Sequence, residues 1–147
     1  MGIKYIIFPL IVWIISQTLK VGYRLFIRKE KYSLKHILWI YQYGDGAPST
    51  HSAIIVSVLY ILGNQRGLDI IFCFALSMVF VVMYNLVEKR KRHLILESYL
   101  IRSSDPVLRA VVEEGRMRDI SGHSYFEIAV GVVVGIILGY LSVVYYF

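Results

Sequence analysis

Apolar side chains run almost without break through residues 5–26, 50–63, 69–87 and 125–147, and polar residues collect between these runs. A helix needs about 20 residues to cross the hydrocarbon core of a bilayer. The first, third and fourth runs come close to that length or exceed it, and each predicts a transmembrane helix. The second is shorter: it either borrows the Pro-Ser-Thr turn before it, tilts against its neighbours or stops short of a full crossing. Tyr5, Tyr23, Tyr140, Tyr145 and Tyr146 fall near the ends of the runs, where interfacial aromatics sit. The first run follows a single lysine and lacks a small-residue cleavage signature, so it reads as a retained span rather than a removed signal peptide.

Composition agrees with the pattern. Of 147 residues, 57% are apolar, and the mean hydropathy of +0.61 is well above that of an ordinary soluble protein. The length fits one domain, residues 1–147, and the expected fold is all-α, a polytopic integral membrane bundle of about four spans. No repeat or low-complexity tract breaks it. The one cysteine, Cys73, lies inside the third run; it excludes an intrachain disulfide and suits a small apolar role.

The net charge of +6 is unevenly spread. Arg24, Arg28, Lys29, Lys31 and Lys35 lie between the first and second runs. Lys89, Arg90, Lys91, Arg92, Arg102, Arg109, Arg116 and Arg118 lie between the third and fourth. With four crossings those two loops share one side, and the positive-inside rule assigns it to the cytoplasm, with both termini opposite. Juxtamembrane lysine and arginine beside anionic headgroups account for these charges, and no nucleic-acid partner is expected.

Polar residues inside or capping apolar spans are costly and tend to be functional. Here they form four clusters: Gln17 and Lys20 near the end of the first run; Pro48, Ser49, Thr50, His51 and Ser52 opening the second; Asn85 and Arg90 closing the third; His123 and Glu127 opening the fourth. All four land on one face of the membrane, as the parts of a single site would. A Ser/Thr-rich turn opening a helix offers hydroxyls and unpaired N–H groups to an anion, and the helix dipole adds to the attraction. Lys20 and Arg90 add permanent positive charge, the arginine able to hold two phosphoryl oxygens at once. The two histidines supply the nucleophile and proton donor that phosphoryl transfer through a covalent intermediate requires. No metal or other cofactor enters that scheme. Glu127 follows His123 by one helical turn, so its carboxylate can accept from one imidazole nitrogen and leave the other to attack phosphorus. Gly131, Gly135 and Gly139 continue the same stripe, and small residues at this spacing let a neighbouring span approach closely.

Plainer readings stand beside these. Residues 48–52 suit a helix-opening turn. Ser124 and Glu127 have capping-box spacing. Lys20 could snorkel to the interface. His36 and His93 read as ordinary loop histidines, and residues 89–93 as a headgroup-facing patch apart from one arginine. A zinc site from His51, His93, His123 and Asp45 lacks a tight ligand spacing such as His-Glu-x-x-His.

Four segments, SQTLK at 16–20, GAPSTHSA at 46–53, MYNLVEKR at 83–90 and GHSYFEIAVGVVVG at 122–135, resemble the divergent, bacterial branch of the type 2 phosphatidic acid phosphatase superfamily, relatives of lipid phosphate phosphatases and vanadium haloperoxidases. The second and fourth are similar to its Pro-Ser-x-His-Ser and Gly-His-x-x-x-Glu-Val-x-x-Gly signatures; Gly122 belongs to the latter. The resemblance covers nearly the whole chain. It implies a helical fold and metal-independent hydrolysis, with His123 as nucleophile, Glu127 as its orienting carboxylate and His51 as general acid. Lys20, Ser49, Thr50 and Arg90 would bind phosphate, supported by Gln17, Pro48, Ser52, Asn85 and Gly122.

The chain departs from the superfamily in places. Its Lys-x6-Arg-Pro element is absent, because Ile27 stands seven residues after Lys20 and Arg28 one further. Its Ser-Arg pair before the nucleophile is also missing: position 117 is Met, between Arg116 and Arg118. The arginine role therefore passes to Arg90, with Arg92 and Arg118 as alternatives. Asn85 stands where the branch commonly has Asp.

The expectation is a lipid phosphate phosphatase in a bacterial inner membrane, its site facing the cytoplasm. Its substrate would be an anionic phospholipid such as phosphatidic acid or phosphatidylglycerophosphate, ahead of polyprenyl diphosphates. Homo-oligomerisation stays open. The rival expectation is a non-catalytic protein that binds or moves phospholipid headgroups through the same basic pocket.

Overall fold

The computed structural model describes residues 2–26, 41, 46–113 and 122–147, and among these the long elements are all helical. They are α1 (Ile3–Phe26), α2 (Thr50–Arg66), α3 (Ile70–Ile101), α4 (Pro106–Glu113) and α5 (Tyr125–Tyr145). Each of the four apolar runs becomes a helix, and local chemistry sets the ends. Ser49 caps α2 with its side chain on the Ser52 N–H. That helix stops at Gly67, whose positive φ of 71° lets its N–H turn back onto the Gly63 carbonyl. Asp69 then opens α3, accepting at 2.8 Å from the Phe72 N–H and at 2.8 Å from Arg66 Nε.

One boundary differs from the sequence expectation. The third helix does not end at residue 87; it continues through the basic run to Ile101. Lys89, Arg90, Lys91, Arg92 and His93 are therefore helical, and His93 is buried rather than a loop histidine. The cause is local: Leu, Glu, Lys and Arg are strong helix formers, a Glu88–Lys91 ion pair of 2.9 Å lies along the surface, and no Gly or Pro intervenes before Pro106.

Among the described residues three helices are long and apolar enough to cross a membrane: Ile3–Leu25, Ile70–Ile101 and Tyr125–Tyr145. At 17 residues, α2 spans about 25 Å, a little less than the hydrocarbon thickness. The distribution of side chains is the reverse of a water-soluble protein. Ser16, Ser49, Ser52 and Ser57 are among the most completely buried side chains, while Ile6, Leu10, Phe74, Phe80 and Ile137 are exposed. Such an exterior is stable against lipid, not water. The protein is an integral membrane helical bundle.

Helix α2 is central, packing most extensively on α5 and also on α1 and α3. The α5 glycines make the closest contact. A Cβ on Gly131 would lie 2.5 Å from the Ser49 carbonyl oxygen, one on Gly135 2.7 Å from that of Ala53, and one on Gly139 2.8 Å from Tyr60 Cβ. The residue numbers rise together, so α2 and α5 run parallel and begin at the same end of the bundle. At the opposite end Tyr5 Oη donates to Gln65 Oε1 at 2.8 Å, Lys4 Nζ donates to the Tyr146 carbonyl at 2.9 Å, and the Tyr5 and Phe147 rings stack at 4.9 Å.

Candidate active site

The end where α2 and α5 begin is built from backbone first. The Ser49 N–H donates to the Glu127 carbonyl at 2.9 Å, tying the start of α2 to the first turn of α5. Ser49, completely buried, accepts from the Ser52 hydroxyl at 3.0 Å. Ser124 and Glu127 form a capping box: the Ser124 N–H donates to Glu127 Oε2 at 3.0 Å and the Glu127 N–H to Ser124 Oγ at 3.3 Å. The plain reading of this spacing therefore holds, and it fixes the glutamate one turn after His123. On the other side Gly122 presses on α3. A Cβ there would fall 2.3 Å from both the Arg90 nitrogen and the Leu86 oxygen, and the His123 N–H donates to that Leu86 carbonyl at 3.1 Å. Two helix N-termini and the flank of a third meet at one point.

Helix α1 contributes the charge. Phe8, Val12, Ser16, Lys20 and Arg24, spaced by four, are all buried, so they form one inward stripe that begins apolar and ends cationic. Lys20 is 2% exposed, which replaces the snorkelling alternative with a lysine held inside the bundle. Gln17 is buried too, its Nε2 donating to the Tyr41 carbonyl at 3.0 Å. By its place in the sequence Arg24 groups with the loop charges. It lies in the last turn of α1, buried, against Gly46, where a Cβ would come within 3.5 Å of Arg24 Nη2. Gly46 has φ of +120°, a backbone that favours glycine.

The His51 and His123 rings meet edge to face, with centroids 5.5 Å apart. His123 is buried and His51 exposed. Among the described residues Lys20 and Lys89 act electrostatically on His51. Thr50 and Ser52 are buried beside them, and the Thr50 hydroxyl oxygen has no hydrogen-bond partner among the described residues.

Not every expected residue joins this cluster. Asn85 is exposed. Arg90 meets the site through its backbone, against Gly122. Pro48 is buried in the turn before Ser49 and also borders a groove between α1 and α5. Among the described residues no group of three His, Cys, Asp or Glu side chains is placed to hold a metal ion. His36, Asp45, Arg28, Arg116, Met117 and Arg118 lie outside the described residues.

A model of the Divergent PAP2 family matches residues 2–138. The chain belongs to that family. The comparison with curated proteins and the comparison with solved structures return no match. The Divergent PAP2 family carries the chain into a phosphatase-like superfamily, and the four segments that suggested it are those that supply the cluster. In this Divergent PAP2 protein Arg24, one turn beyond Lys20, is buried at the same end of α1, a place that the sequence reading does not assign to it. Its signal was present: it continues the i+4 series from Ser16 and Lys20.

Proposed function

We propose that this protein is a metal-independent lipid phosphate phosphatase acting through a phosphohistidine at His123. The observation that carries the reading is the meeting of the His51 and His123 rings at the joined N-termini of α2 and α5, next to the buried Lys20. Parallel helix N-termini and a buried cation attract a phosphoryl group. Ser49, Thr50 and Lys20 would bind it, with Arg24, Lys89 and Arg90 adding charge, and Gln17, Pro48, Ser52 and Gly122 would support the site. An imidazole nitrogen of His123 attacks phosphorus as the bond to the lipid alkoxide breaks, and His51 gives its proton to the departing oxygen. His51 then takes a proton from water, whose oxygen attacks the phosphohistidine, releasing phosphate and restoring both rings. Glu127, fixed by its capping box, orients His123.

The substrate class is an anionic phospholipid monoester such as phosphatidic acid or phosphatidylglycerophosphate, with polyprenyl diphosphates second. The basic residues at this end support a cytoplasmic orientation, in a bacterial inner membrane. A second reading, a headgroup-binding or lipid-transport protein, draws on Asn85, which is exposed and uncharged.

The test is phosphate release from these lipids by purified protein in detergent with chelator, comparing wild type with His123→Ala. Release that persists in chelator and vanishes in the variant supports the enzyme. Full activity in His123→Ala overturns the assignment, and no release from folded wild type on any lipid favours headgroup binding.

A further inference from the structure

Between α1 and α5 lies an apolar groove of about 480 Å³, walled by Leu19, Gly22, Ala47, Pro48, Phe126 and Val130. That is within the usual range for a ligand site, about 300–1,000 Å³. Its outer edge is formed by Leu19, 47% exposed, and Phe126, 63% exposed, side chains on the surface that meets hydrocarbon. Its wall lies one residue along the chain from the phosphate cluster at three points, because Pro48 precedes the buried Ser49, Phe126 precedes Glu127 and Leu19 precedes Lys20.

The glycine in this groove differs from those of α5. Gly131, Gly135 and Gly139 are each required by a neighbouring atom closer than 3 Å to the place of a Cβ, whereas a Cβ on Gly22 would meet nothing within 4 Å. Glycine inside a helix costs stability relative to alanine, and packing among the described residues gives no reason for it here. What its missing side chain leaves is free volume on the groove wall.

We infer that this groove seats the hydrocarbon chain nearest the phosphate of the lipid substrate, and that Gly22 keeps it open. The inference rests on the phosphatase reading for the identity of the headgroup and goes beyond it by naming where the chain lies. It makes α1 and α5 the elements that distinguish a lipid phosphate from a soluble one.

Two measurements test it. The first is the ratio of kcat/KM for dipalmitoyl phosphatidic acid to that for glycerol 3-phosphate, in wild type and Gly22→Leu. The expected result is a fall of about 10-fold or more in that ratio, the scale on which a filled apolar pocket discriminates; an unchanged ratio in folded variant overturns the groove. The second needs no turnover: phosphatidic acid with a diazirine in its acyl chain is crosslinked to wild-type protein and the adducts are mapped. Adducts on residues 18–23 and 126–134 support the proposal. Adducts confined to the other apolar groove, at Leu59 and Phe72, overturn it. If wild type hydrolyses neither substrate, the phosphatase reading fails while crosslinking still decides the groove.

Discussion

Ser49 joins three parts of the site through atoms of one small residue: its N–H holds α5, its hydroxyl receives Ser52, and its carbonyl lies under Gly131. The last contact leaves no room for a methyl group. Gly131→Ala is expected to push α2 off α5 and to destabilise the protein by about 1–3 kcal/mol, read as a lower unfolding midpoint in detergent. Gly22→Ala, with open space around it, is expected to leave the midpoint unchanged or raise it. A second expectation concerns charge: Lys20→Met should leave a folded helical protein whose phosphate release is about 100-fold slower, the usual scale for losing one group that stabilises a phosphoryl oxyanion. Wild-type rates in that variant would remove Lys20 from the site. At this scale Lys20, His51 and His123 were legible in the sequence because polar residues at the mouths of apolar runs have few other reasons to be there. Arg24 was not, because a basic residue near the end of a span is as easily counted with a loop as with a helix. Its side chain lies against the Gly46 turn, a contact that charge patterning cannot reveal.

Among the elements, α2 and α5 are the pair whose register determines the site. The glycine stripe of α5 announced a close helix contact in the sequence, but the partner emerged only in three dimensions. It is the small-residue face of α2, Ala53 and Ser57, below its cap Ser49; of the three, Ala53 and Ser57 do not exceed the hydrophobic background as a signal. The length of α3 differs from the expectation because its charges resemble a loop, although Glu, Lys and Arg are good helix formers. The connection from α2 to α3 supplies a pH expectation. Asp69 lies outside the spans; the Phe72 N–H and then Arg66 hold its carboxyl below the usual carboxylate range. A depressed folded-state value contributes stability that is present above the unfolded-state value and lost as pH falls through the folded one. Protection of the Phe72 amide against hydrogen exchange should therefore weaken on acidification below about pH 4. Asp69→Ala should show weak protection at every pH.

Among the described residues the molecule is apolar without and mixes polar with apolar side chains within; its membrane character was the most legible property of all, since it follows from composition and run length. Its orientation rests on where the basic residues gather. From Ile70, about 20 helical residues reach the membrane surface near Lys89, which brings α3 out of the hydrocarbon at the level of the histidine pair. In a Cys73→Ser background, Asp105→Cys should react with an impermeant maleimide only from the cytoplasmic side, and Asn64→Cys only from the opposite side. The reverse pattern would turn the site outward and favour substrates presented there. The central claim is chemical, and one experiment addresses it most directly. Wild-type protein is mixed with phosphatidic acid labelled in its phosphate, in chelator, and quenched with alkali within the first turnover. The account requires a labelled, alkali-stable, acid-labile phosphohistidine that maps to His123 and is absent from His123→Ala. Turnover without label at residue 123, or label that survives the substitution, would contradict it.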